Sequence, residues 1–210
     1  GGRRVVLLAG ADPVGTLYAC VTFAGLLQQG AAGIVFREAD VVDWPDFLAV
    51  TEDISMYHPE RGNLSNAIRW GSPPSTKTLS AFVEAMKEHL DRLLAWKISC
   101  FHASEIQRWR QLSPAAMDAY RQVTDYAKAR GIRSLSYAFK PFCGRISEFP
   151  DAPKRCATLH NGTRWRDCLR CWSLDDERQQ NARRLAEVIR RTGITDVGFH
   201  DTDTGGFLSP

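Results

Sequence analysis

An α/β fold built on a parallel sheet is what this sequence predicts, and three observations predict it. Short apolar runs alternate with longer stretches whose apolar residues recur at helical spacing. From residue 48 onward the order is strand, helix, strand, helix, strand, helix, strand, and such alternation calls for parallel strands joined by right-handed crossovers. The composition, 44% hydrophobic and 24% charged over 210 residues, is that of a globular core. A doubly wound sheet and a barrel both fit this order, and four strands would make half of an eight-stranded barrel.

The elements arise from local pattern. Residues 4–9 read as a strand and Gly10-Ala11-Asp12-Pro13 as a turn. Residues 15–29 read as a helix, with Leu17, Val21, Ala24 and Leu27 near helical spacing, and 34–36 as a short strand after Gly30 and Gly33. These pieces make a β-α-β unit too small to fold alone. A loop carrying Asp43-Trp44-Pro45-Asp46 leads to a strand over 48–56, and 58–75 is a loop rich in Pro, Gly, Asn and Ser. Thr78 to Trp96 predicts a helix whose inner stripe is Phe82, Met86, Leu90 and Leu93-Leu94, and Ile98–His102 the next strand. Ser113-Pro114 is a helix start, with Ser as cap and Pro at the first position, and that helix ends at Gly131. A strand over 132–139, a long excursion over 140–174, a helix over 175–191 closed by Gly193 and a strand over 195–200 complete the order.

Net charge is only +3 and the arginines are scattered, so Arg183, Arg184, Arg190 and Arg191 read as a solvated helix face and no nucleic-acid partner is expected. No apolar run is long enough for a transmembrane helix. No signal peptide is seen. The chain reads as starting inside a domain and stopping after a Gly-rich turn, so a fragment of a longer protein is expected.

Of six cysteines, Cys20 and Cys100 sit in apolar segments and read as buried thiols. Cys143, Cys156, Cys168 and Cys171 fall in one stretch, with Cys168-Leu169-Arg170-Cys171 as its tightest pair. They could hold a structural zinc ion, form two disulfides that staple the loop, or remain free.

In either parallel architecture the active site lies at the carboxyl ends of the strands. That rule selects His102 and Glu105 after the second strand of the alternating series, Lys140 after the third, and His200, Asp201 and Asp203 after the fourth. Asp201 and Asp203, two residues apart, would face one side if the strand continued through them. Neighbouring carboxyls cannot both ionise freely, so one is held protonated and serves as an acid, the division of labour that glycoside hydrolysis uses. Asp-Thr-Asp-Thr-Gly-Gly is equally a good turn sequence. Trp172 lies in a loop where an aromatic ring could stack on a sugar face.

Together these residues resemble the β-N-acetylhexosaminidase and α-glucuronidase group of glycosidases. The likeness is carried by Gly15-Thr16-Leu17-Tyr18-Ala19, by Asp43-Trp44-Pro45-Asp46-Phe47, by the stretch from His89 to Ser99, by His102 and Trp109, and by the strand ending Phe199-His200. The resemblance implies a small α/β domain, its tail at 1–40, followed by about half of a (β/α)8 TIM-type barrel over 41–210, with the cysteine loop inserted at 140–174. It also implies a secreted or periplasmic setting. The sequence departs from that group where the sugar-gripping Arg-Gly pair gives way to Val50-Thr51. It departs again where Asp-Glu becomes Asp201-x-Asp203, and where Ser99 replaces Asn.

The expected function is therefore that of a glycoside hydrolase-like protein acting on a glycan without a catalytic cofactor. Asp203 would act as general acid and Asp201 would orient the substrate. His102, Glu105, Lys140, Trp172 and His200 would line the pocket. A non-catalytic carbohydrate-binding protein is the second expectation, and a metal-dependent hydrolase using His200, Asp201 and Asp203 the third.

Overall fold

In the computed structural model the described residues are 5–36, 38–44, 50–52, 75–103, 112–139, 143–145, 158–159, 167–169, 175–199 and 207–208. The alternating part forms as expected. Strand β3 (Thr51–Glu52) leads to helix α2 (Thr76–Ala95), β4 (Cys100–His102), α3 (Pro114–Lys128), β5 (Arg133–Phe139), α4 (Asp175–Thr192) and β9 (Asp196–Phe199). All four strands are parallel, and their spatial order β3-β4-β5-β9 is their order along the chain. The order never reverses, so among the described strands there is no topological switch point of the doubly wound kind.

Helices α2 and α3 start where the sequence supplies a cap. The Ser75 hydroxyl accepts from the Thr78 amide at 3.1 Å, and the Ser113 hydroxyl from the Ala116 amide at 3.2 Å. The helix ends are set by left-handed residues. Ile132 and Gly131 donate back to Ala127 and Lys128, with Gly131 at φ 68°, and Gly193 closes α4 at the same φ. Lys97 adopts φ 56° after α2, where Ile98 and Lys97 donate to Leu93 and Leu94. There a side chain occupies the position that glycine fills after the other two helices.

The core lies between the helices and one face of the sheet. Phe82, Val83, Met86, Leu90 and Leu93 from α2 meet Met117, Tyr120, Val123 and Ala127 from α3, Phe101 from β4 and Val188 from α4. Burying each large apolar side chain contributes roughly 1.5–3 kcal/mol. Polar seams bind the helices side by side. Tyr126 of α3 and Arg130, just past its end, both donate to Asp91 of α2, at 3.0 and 2.6 Å. Arg191 of α4 reaches Asp118 of α3 at 2.8 Å.

The N-terminal part corrects the expectation. Residues 5–9 form no strand, and α1 (Pro13–Leu26) runs into β1 (Leu27–Gly30), which pairs antiparallel with β2 (Gly33–Phe36). The expected β-α-β unit is thus a helix followed by a hairpin, and the helix expected to reach residue 29 stops at 26. Two features account for this. Asp12 is a helix cap, accepting from the Gly15 amide at 2.6 Å with Pro13 at the first position, and Gly33 at φ 126° turns the hairpin. The strand expected over 34–36 is present within β2, and Val5 and Leu7 are left exposed.

This unit rests against the amino-terminal end of the sheet. A side-chain carbon at Gly131 would lie 2.7 Å from Val14 Cγ2, so α1 meets the turn that precedes β5. Lys97, in the turn before β4, pairs with Asp43.

Candidate functional site

Alternation along the strands divides the sheet into two faces. Phe101 belongs to the helix-side core, so its neighbours Cys100 and His102 face the other way, and both are buried. Register extends that second face across the sheet: Cys100 lies beside Arg133, His102 beside Leu135, and Leu135 beside Asp196. Arg133 Nε donates to Asp196 Oδ2 at 2.9 Å, and the guanidinium makes a second bond to the same carboxylate. These bonds raise the Arg133 pKa above its ordinary value, hydrogen bonding first and the Asp196 charge second. Arg133 therefore stays a fixed cation and Asp196 its counter-ion at the amino-terminal end of this face.

The carboxyl end is built by a register shift. Between Ser136 and Phe139 of β5 one extra residue is accommodated, so Ser136 pairs with Val197 while Phe139 pairs with Phe199. Bulges of this kind re-aim the chain at sheet ends and beside active sites. The last described residues of β5 and β9, Phe139 and Phe199, are thus neighbours, and Lys140 and His200 follow them in the sequence. His102 lies deeper, level with Leu135 rather than with Phe139. Four residues of strand correspond to about 13 Å at the usual rise. The arrangement thus groups the described ends of β5 and β9, and sets His102 below them.

Two small ladders are described beyond these strand ends. Strand β6 (Cys143–Arg145) pairs antiparallel with β8 (Asp167–Leu169), and β7 (Thr158–Leu159) pairs with β10 (Phe207–Leu208). The excursion after β5 is thereby closed on itself and also joined to the chain beyond β9. Residues 200–206, which hold Asp201 and Asp203, lie outside the described residues, between β9 and β10. Nothing in the sequence announces the β7–β10 pairing, since Phe207-Leu208 and Thr158-Leu159 are too short to carry a pattern.

Of the expected site residues, His102 is described and buried. Glu105, Lys140, Trp172, His200, Asp201 and Asp203 lie outside the described residues. Cys143 and Cys168 lie in the β6–β8 ribbon, where Cys143 is opposite Leu169 and Cys168 opposite Gly144, so the two are not register partners. Cys156 and Cys171 lie outside the described residues. Cys100 is buried, as expected of an apolar-segment thiol, whereas Cys20 is exposed on α1, which corrects that expectation. The reason is that α1 has apolar residues on every side and buries none completely. No group of three or more metal-ligating side chains occurs among the described residues. No described helix is long and apolar enough to cross a membrane.

No protein-family model matches this sequence, and a search of curated proteins finds no similar chain.

Proposed function

We propose that this chain is a glycoside hydrolase-like protein, built on a barrel-type sheet, that acts on a glycan at the carboxyl ends of its strands. What supports the reading most is the pairing of Phe139 with Phe199, which sets side by side the residues that immediately precede Lys140 and His200-Asp201-Thr202-Asp203 in the sequence. The sequential order of four parallel strands supports the barrel-type part, since a singly wound sheet curls one way with its helices outside. In this reading Asp203 is the general acid, kept protonated by the charge on Asp201, and Asp201 orients the substrate or stabilises developing positive charge. His102 forms the floor, with Lys140, His200, Glu105 and Trp172 around the rim.

The test is hydrolysis of a panel of chromogenic aryl glycosides by the purified protein and by Asp203→Asn. Loss of a general acid lowers kcat by roughly 100-fold or more. Hydrolysis unaffected by Asp203→Asn would sink the assignment. A second reading, glycan binding without turnover, is favoured by Val50-Thr51 and Asp201-x-Asp203, where the resembled hexosaminidases carry Arg-Gly and Asp-Glu. Saturable binding of an oligosaccharide by a protein that hydrolyses none of the panel would select it.

A further inference from the structure

We infer that the turn between α2 and β4 is a salt-sensitive latch on the chain entering β3, and that Lys97 keeps a strained backbone because its side chain closes that latch. The inference draws nothing from the glycosidase reading. It starts from a mismatch at one residue. Among the described residues Lys97 is the one non-glycine position with positive φ, at 56°. It stands just past α2, as Gly131 and Gly193 stand past α3 and α4 at φ 68°. A side chain in that conformation costs free energy that glycine avoids.

Helix termination does not account for the lysine. The Ile98 amide donates to the Leu93 carbonyl at 2.9 Å, just as the Ile132 amide donates to Ala127 at 2.9 Å. The two turns close in the same way, so glycine would end α2 as well as it ends α3.

The partner of the side chain does account for it. The Lys97 ammonium pairs with the Asp43 carboxylate, 54 positions away, in the chain that leads from the β1–β2 hairpin to β3. Two residues further on, Ser99 Oγ accepts from the Val50 amide at 3.0 Å, and the Cys100 amide donates to the Val50 carbonyl at 3.0 Å. One short turn therefore grips the entering chain at Asp43 and again at Val50. The grip at Val50 continues into the β3–β4 ladder. The grip at Asp43 is a single ion pair whose members both meet solvent. Salt screens such a pair, so this is the point that opens. Once it is open, the α1-hairpin unit keeps its contacts with Gly131 and α2 but loses its tie to the turn.

The experiment is a double-mutant cycle on Lys97→Gly and Asp43→Asn in the full chain, read by backbone hydrogen exchange in α1 and the hairpin and by urea unfolding. Each single variant is expected to speed exchange in that unit about 2- to 5-fold, the range set by an exposed ion pair. The double variant is expected to be no faster than either single one. Sodium chloride at about 1 M is expected to do the same to the unaltered chain. In urea, Lys97→Gly is expected to raise the unfolding midpoint more in the Asp43→Asn background than on its own. There it relieves the backbone with no pair left to break. Exchange in the unit that neither variant nor salt changes would overturn the inference. So would effects that multiply in the double variant, since the two residues would then act separately. Should a variant fail to fold, the salt dependence of the unaltered chain decides.

Discussion

Helices α1 and α2 differ in a way that composition alone would misjudge. Residues 13–26 are far more apolar than residues 76–95, yet α1 buries no residue fully while α2 buries Leu79, Phe82, Val83, Met86, Leu90 and Leu93. The difference lies in arrangement. In α2 the apolar residues form one stripe and the opposite side carries Lys77, Glu84, Glu88 and Arg92, so one face has a single place to go. In α1 they are spread all round, and only one side can meet the hairpin, as Phe23 does in its edge contact with Phe36 at 5.5 Å. Between residues 5 and 36 the only charged side chain is Asp12. A segment this apolar and this little buried adds less to the stability of the chain than the charged but striped helix does.

The sharpest way to break that comparison is truncation in each region. Phe82→Ala removes a ring that is 1% exposed and packs on Tyr120 at 5.1 Å between centroids. The expected cost is about 3–5 kcal/mol, read from denaturant unfolding. Ile34→Ala in β2, at a position 75% exposed, is expected to change stability by no more than about 0.5 kcal/mol. A loss at Ile34 as large as that at Phe82 would mean the hairpin is part of the main core after all.

A smaller effect tests whether the two regions touch. Gly131→Ala puts a side chain at φ 68° and sets its carbon 2.7 Å from Val14 Cγ2. The backbone part costs roughly 1–2 kcal/mol, and the clash adds to it. Adding Val14→Ala is expected to return the clash portion and leave the backbone portion. If the double variant is no more stable than Gly131→Ala alone, α1 does not rest on that turn in solution.

Legibility in the sequence divides along the same line. The striped helices, their serine caps and the glycines at 131 and 193 are legible because each is a local signal with one physical cause. The start of α1 carries an equally good signal, Asp12-Pro13, but Gly10-Ala11 ahead of it reads as part of a turn, whereas no glycine competes at Ser113-Pro114. Leu27-Gln28-Gln29 looks helical because Leu27 continues the spacing of Leu17, Val21 and Ala24, yet the tight turn between Gly30 and Gly33 pairs it as a strand. Strand-end reasoning picks out Lys140 and His200, and the pairing of Phe139 with Phe199 brings the residues just before them together. The same reasoning puts His102 at their level, but β4 ends opposite the third residue of β5, a matter of register that no local pattern encodes. The pairing of β7 with β10 is illegible for the same reason, since a ladder between distant short strands leaves no trace in either.

The least effect, and the most specific, concerns the seam between α3 and α4. Arg184 Nη1 donates to Glu187 Oε2 at 2.6 Å, while its Nη2 reaches the Leu112 carbonyl at 3.3 Å, just ahead of α3. Hydrogen bonding to Arg184, then the charge of the same group, holds the Glu187 carboxyl below the usual carboxylate range. A carboxyl whose pKa is lower folded than unfolded stabilises the fold above its unfolded pKa, near about 4.3. That contribution is lost as pH falls through the lower folded value. Glu187→Gln is therefore expected to leave a shallower acid limb in the stability profile below about pH 4.3, with only a small change at neutral pH because both side chains meet solvent. An unchanged acid limb would mean that Arg184 is held by the Leu112 carbonyl alone. The α3–α4 seam would then rest on its apolar contacts and on the bonds that cross it from Arg191, Arg121 and Thr124, with Arg184 adding only its bond to Leu112, much as the α2 core depends on its stripe rather than on the charges beside it.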